Sequence, residues 1–238
     1  MTPSSDRVAL VTGATGVLGG VVVRTFADDG WRLGLAGTDH ARLEAVAAAT
    51  ALADDRWAPG VGDLSDRSAA EAAAADVVSR LGRIDALLHL VGGYAGGGPI
   101  VDFADDDLRR MLDQHLWSTL NIARAVVPGM VERGWGRVVA VTASTAVTTP
   151  PKLAAYSVAK GAEETLLRTL AREVAGHGVT VNIVAVRKID TERVRETAPE
   201  PKNAGWTTPE EVAATMRHLC ADDAAAITGQ RIALDGRT

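Results

Sequence analysis

The chain has 238 residues, 47% hydrophobic and 23% charged, with a net charge of −5 and no basic tract. That length suits one α/β domain with a sizeable core, and that charge argues against nucleic acid or an anionic membrane as a partner. The single cysteine (Cys220), the scattered histidines and the absence of a membrane-length apolar run predict no disulfide framework, no metal site and no spanning segment. With the short polar start Met1–Asp6, this predicts a cytoplasmic protein.

In chain order, Arg7–Thr12 is a short apolar run rich in β-formers and reads as a buried strand. After Gly13-Ala14-Thr15-Gly16 the pattern turns helical from Val17 to Ala27, and Gly30 ends it. A strand at Arg32–Ala36, an Ala-rich helix at Asp39–Ala51 and a weak strand at Ala58–Val61, interrupted by Pro59, come next. Asp66 caps a helix to Leu81, and Asp85–Val91 is a fourth strand followed by a glycine-rich loop, Gly92–Pro99. A long helix is predicted over Asp105–Arg133, disturbed at Pro128-Gly129, then a strand at Gly136–Ala143 and a helix at Pro151–Ala175. Val179–Val186 is a sixth strand, 187–207 a polar irregular stretch, Pro209–Cys220 a helix and Gln230–Leu234 a last strand. Strands alternating with helices imply right-handed crossovers and a parallel sheet covered on both faces. With no linker or internal repeat, residues 1–238 read as a single domain.

Two stretches carry chemistry. Thr12-Gly13-Ala14-Thr15-Gly16-Val17-Leu18-Gly19 follows the first strand and opens a helix. There glycines let the backbone approach a pyrophosphate, and the helix N-terminus supplies free N–H groups. In Tyr156-Ser157-Val158-Ala159-Lys160 a phenol and an ammonium project from one helix face. A neighbouring ammonium favours the phenolate and brings proton exchange toward neutrality. Alone, such a pair is an ordinary surface feature; with the glycine turn and the strand order it becomes a site.

Together these stretches make the sequence resemble the short-chain dehydrogenase/reductase family over nearly its whole length. The resemblance implies a doubly wound Rossmann fold of about seven parallel strands with helices on both faces. It also implies hydride transfer between NAD(P) and a carbonyl, alcohol or imine, in a homodimer or homotetramer. Tyr156 would be the acid/base and Lys160 the ribose-binding residue that activates it. Gly13, Thr15, Gly16, Val17, Leu18 and Gly19 would line the pyrophosphate, and Asp63-Leu64 match the adenine-binding turn. Val91 and Gly92 would follow the fourth strand, and Ile189 and Thr191 would hold the nicotinamide carboxamide. Thr228-Gly229-Gln230 with Asp235-Gly236 match the C-terminal ending, and residues 187–207 would form the substrate loop. The apolar face Leu166, Leu167, Leu170 and Val174 is mainly core, on a helix that often builds an interface in this family.

Departures accompany the match. Gly16 comes one place early, with Val17 in the usual glycine position, which is the spacing of the extended branch. The Asn-Asn-Ala-Gly signature is His89-Leu90-Val91-Gly92, and the Asn of the long helix is His115, which either anchors a proton relay in place of Asn or, the better reading, is a satisfied helix-face histidine. The usual Ser position falls on Ala143, between Thr142 and Ser144, and the Pro-Gly after the sixth strand is Val186-Arg187. Ser144 serves either as donor to a substrate oxygen or as a structural hydroxyl. Val91–Gly97 and Trp206-Thr207-Thr208-Pro209 resemble the quinonoid dihydropteridine reductases. A dihydropteridine reductase-like enzyme, a non-catalytic nucleotide sensor and, last, a sugar-nucleotide epimerase are the alternatives. At the end of the second strand Gly37-Thr38 replaces the Asp of NAD-selective relatives, which favours NADP, while Asp39 nearby would repel a 2′-phosphate.

Overall fold

The computed structural model describes residues 6–235, so Met1–Ser5 of the polar start and Gly236 of the C-terminal motif lie outside the described residues. Seven strands form one parallel sheet in the order β3-β2-β1-β4-β5-β6-β7. They are β1 (Val8–Thr12), β2 (Arg32–Gly37), β3 (Trp57–Val61), β4 (Ala86–His89), β5 (Gly136–Ala143), β6 (Val179–Val186) and β7 (Arg231–Ala233). Every residue of β1, β4 and β6 is buried, as expected of strands covered on both faces. Pro59 is accommodated because β3 is the edge strand.

The period-two alternation of β1 separates two cores. Val8 and Leu10 point to the face covered by α3 (Arg67–Leu81), α5 (Ser118–Arg133) and α7 (Ala154–Glu173). Ala9 and Val11 point to the face covered by α1 (Val17–Asp28), α2 (His40–Ala49) and α9 (Pro209–Leu219). On that second face Leu18, Val22, Val23 and Phe26 of α1 share one cluster with Val212, Ala213, Met216 and Leu219 of α9. Three of these helices are capped by side chains. Asp39 accepts from Arg42 N, Asp66 from Ala69 N, and Thr208 and Glu211 form a capping box.

The helix predicted over Asp105–Arg133 divides elsewhere than at Pro128. Its parts are α4 (Asp105–Leu112), a π-helical turn at Asp113–Trp117, and α5, which runs straight through Pro128. A proline removes one helical hydrogen bond, and here that loss leaves the helix unbroken. Two short helices were invisible to periodicity, α6 (Thr145–Thr148) and α8 (Val194–Thr197). The stretch 187–207 is folded back rather than irregular. Asp190 accepts from Val194 N and Arg195 N, Arg195 grips Glu211 with both terminal guanidinium nitrogens, and Ile189 bridges Thr207. Among the described residues no helix is long and apolar enough to cross a membrane, and no cluster of three or more His, Cys, Asp or Glu could hold a metal.

Candidate active site

In a parallel sheet all C-terminal strand ends share one edge, and strand order reverses here between β1 and β4. Such a switch point opens a crevice for a ligand. The glycine turn sits on it. Gly13 has φ +67°, and a Cβ there would lie 3.1 Å from the Leu90 carbonyl. A Cβ on Gly19 would lie 2.6 Å from the Ala14 oxygen, so α1 can rest on the turn only with glycine there. Gly16, the N-cap of α1, has no side chain to cap the helix, and no acidic residue occupies the first turn. Free N–H groups and a positive helix end therefore face the crevice, and these residues fit the pyrophosphate of a dinucleotide.

Around the turn, Val17 is exposed, whereas Leu18 and Leu64 are buried in the core. Asp63 Oδ1 accepts from Ser65 N and Ser65 Oγ in an Asx turn, while Asp66 caps α3. Asn121 of α5 donates to the carbonyls of Leu64 and Ser65, fixing that turn; nothing in the sequence singled it out. Thr38 is exposed, and Asp39 is engaged as the cap of α2. Arg42, also missed, extends its guanidinium to the Thr15 carbonyl at 3.4 Å. Thr191 and Arg187 are exposed, and Lys188 Nζ covers the Trp206 ring at 3.7 Å from its centroid, docking that loop.

The second half of the site is built from α7, β5, the glycine-rich loop and the π turn. The Tyr156 ring meets Tyr94 edge-on at 5.4 Å and His115 at 5.5 Å. His115 Nε2 lies 3.1 Å from the Gly93 carbonyl, which only accepts, so Nε2 carries the proton. Its Nδ1 is then a buried acceptor without a partner, which makes the helix-face histidine only half satisfied. Gly92 is required beside it, since a Cβ there would fall 2.9 Å from His115 Cε1. One extra residue per turn in the π segment is a common device at functional sites.

Behind the ring, Lys160 Nζ donates to the Val141 carbonyl (3.0 Å) and to Glu163 Oε2 (2.7 Å). The Glu163 side chain is fully buried and also accepts from Thr119 Oγ1 at 3.3 Å. The sequence predicts that Lys160 brings the phenol toward neutrality. In the structure burial pushes Tyr156 up to about 12, helped by the Glu163 carboxylate and by Tyr94. The ammonium faces a carboxylate of its own.

His89 stands at the end of β4, with Nδ1 2.9 Å from Thr12 Oγ1 and Nε2 3.5 Å from Ser118 Oγ. Thr12 Oγ1 accepts from Leu90 N, and Ser118 Oγ donates to the Gln114 carbonyl. One direction satisfies the chain: Thr12 donates to Nδ1, and Nε2–H points to Ser118. Burial, then the Lys160 charge, lowers both His89 and His115 to about 3, so both rings are neutral. At the end of β5, Ser144 is the N-cap of α6 and its carbonyl receives Val147 N and Thr148 N. Thr142 Oγ1 and Thr145 Oγ1 are instead buried without a hydrogen-bond partner.

The chain is similar to known proteins over nearly its whole length. A family model described as Enoyl-(Acyl carrier protein) reductase matches residues 13–236. The chain is 32% identical to a 2,3-dihydroxy-2,3-dihydro-p-cumate dehydrogenase of Pseudomonas putida, covering 98% of this chain and 95% of that one. It is 33% identical to a (2S)-[(R)-hydroxy(phenyl)methyl]succinyl-CoA dehydrogenase subunit of Thauera aromatica, covering 98% and 94%. It is 35% identical to a monensin polyketide synthase putative ketoacyl reductase of Streptomyces virginiae, covering 99% and 98%.

Proposed function

The chain belongs to the short-chain dehydrogenase/reductase family and is an oxidoreductase, and from that premise we propose that it catalyses NAD(P)-dependent interconversion of a small carbonyl and its alcohol, with Tyr156 as the acid/base. The observation that carries this reading is the placement of Tyr156, with Lys160 one turn behind it, at the same sheet edge as the uncapped glycine turn. A bound nicotinamide supplies or takes the hydride. The turn Gly13–Gly19 holds the pyrophosphate through backbone N–H groups, and the Asp63 turn borders the adenine. Ile189 and Thr191 flank the nicotinamide amide. Tyr156 gives its proton to the carbonyl oxygen during reduction and receives it during oxidation. Lys160 has three N–H donors, two engaged by Val141 and Glu163, and the third serves the ribose. Among the three hydroxyls at the end of β5, the unpartnered Thr142 and Thr145 suit a substrate oxygen as well as Ser144 does.

Asp39 is committed to α2, and Arg42 lies on the glycine turn, which supports NADP over NAD. Tyr94, against the Tyr156 ring, and Ile100 and Val101 farther along the chain expose apolar surface, which suits a substrate with an apolar body. The half-buried Leu166 and Leu170 of α7, facing Leu120 and Val127 of α5, support a homodimer or homotetramer built on that groove. The test is a titration with NADPH and NADH by tryptophan fluorescence, followed by a carbonyl-reduction screen with the cofactor that binds. Tyr156→Phe is expected to bind the cofactor normally and to lose turnover at least about a hundredfold. Comparable turnover in that variant removes the mechanism.

A further inference from the structure

Tyr156, Lys160 and Glu163 lie at i, i+4 and i+7 on one stripe of α7. A glutamate on a helix ordinarily reaches solvent, yet this one is fully buried with 0% side-chain exposure, against 5% for Lys160. Two apolar residues would fill the same volume without the cost of desolvating two charges. We propose that Glu163 is a positioning residue for Lys160 whose carboxylate offsets the ammonium at the Tyr156 ring, so that pairing adds to burial in holding the site on its protonated side, the form that starts carbonyl reduction rather than alcohol oxidation. This rests on the oxidoreductase reading of the Tyr156 site.

An isolated ammonium would attract the phenolate. Burial pushes the Glu163 carboxyl up, while the Lys160 charge and the hydrogen bonds from Lys160 and Thr119 hold it toward the carboxylate. Paired with that carboxylate at 2.7 Å the ammonium becomes a dipole, whose field at the ring is far weaker than that of a free charge. The other groups around the ring do not replace that charge. The loop brings the phenol of Tyr94, the π turn the neutral His115 and β4 the neutral His89, while β5 offers the Val141 carbonyl. On α4 Asp107 is paired with Arg110, and on α7 Glu164 is tied to Arg231 of β7. Lys152, at the rim, is exposed. Reduction places a hydride with its two electrons, drawn from the reduced nicotinamide, on the carbonyl carbon, and the Tyr156 proton on the oxygen. The phenolate so formed is reprotonated from water before the next turnover. Oxidation must start from the phenolate, which this arrangement withholds until alkaline pH. The overall equilibrium is untouched; the enzyme form competent for each direction is what changes.

The chain contains two tyrosines, Tyr94 and Tyr156, which makes the test direct. In a Tyr94→Phe background, phenolate absorbance after a rapid pH jump reads Tyr156 alone, without cofactor or turnover. Adding Glu163→Gln is expected to raise the ionisation constant of that phenol about tenfold or more. An unchanged or higher midpoint overturns the proposal. If Glu163→Gln does not fold, the doubly neutral Lys160→Met/Glu163→Leu variant serves. There the midpoint is expected to stay with the parent, and a clear rise, showing that Lys160 prevails over Glu163, overturns the proposal equally. A null titration leaves the oxidoreductase reading intact, whereas turnover surviving in Tyr156→Phe removes both.

Discussion

Acid should unfold this protein through two neutral histidines. His89 and His115 titrate near 6.5 in an unfolded chain and are lowered to about 3 in the fold, chiefly by burial. A folded-state pKa below the unfolded one means that the unfolded chain takes up protons first. The stability these rings confer is complete above about pH 6.5 and is lost as pH falls toward 3. Linkage gives about 2 kcal/mol lost per ring at pH 5, and about 4 kcal/mol for the two. That is a large part of the 5–15 kcal/mol typical of a domain. His89→Asn keeps an acceptor near the Nδ1 position for Thr12 and removes one titrating ring. It should lower stability at pH 7.5 through lost packing, yet remove about half of the histidine-dependent loss between pH 7.5 and 5. Urea unfolding followed by circular dichroism at steps across that range measures both slopes. An acid slope in His89→Asn equal to that of the parent would refute the assignment of His89 as a buried neutral ring.

Two further expectations concern the glycine turn. Gly19→Ala drives a methyl into the Ala14 carbonyl at 2.6 Å, so it should abolish dinucleotide binding and lower the melting temperature. Gly20→Ala, where a Cβ meets nothing within 4 Å, should bind normally and gain up to about 1 kcal/mol of helix stability; equal binding by the two variants would contradict the close approach. Arg42→Ala should weaken NADPH binding about tenfold or more in dissociation constant while leaving NADH within about twofold, and an equal loss for both would remove Arg42 from 2′-phosphate recognition.

The alternation of strands and helices was legible because buried parallel strands are uninterrupted apolar runs and the covering helices carry their own caps, as Asp66 shows for α3. The glycine turn and the Tyr156/Lys160 pair were legible because both are local, set by spacing within one turn. What escaped notice is set by tertiary contact. The π turn at Asp113–Trp117 contains no glycine or proline; α4 leans on α7 while α5 leans on α3, and the extra residue reconciles the two. Glu163 looks like any surface glutamate until α7 is seated against β5 and α5. Thr12, His89 and Ser118 form one hydrogen-bonded chain from three distant segments. The expected effect of Lys160 on Tyr156 was electrostatics applied without the burial of the ring, which pushes the phenol up, and without the Glu163 carboxylate that adds to it.

The seating of α1 against α9 has a consequence for how the molecule is made. The helix that presents the dinucleotide turn is completed by residues of α9, so during synthesis it must wait for residues 209–219 to leave the ribosome. Until Val212, Met216 and Leu219 arrive, Val22, Val23 and Phe26 form a sticky apolar strip, a natural target for a chaperone. Nascent chains stalled before Pro209 should therefore lack nucleotide affinity although every glycine of the turn is already in place.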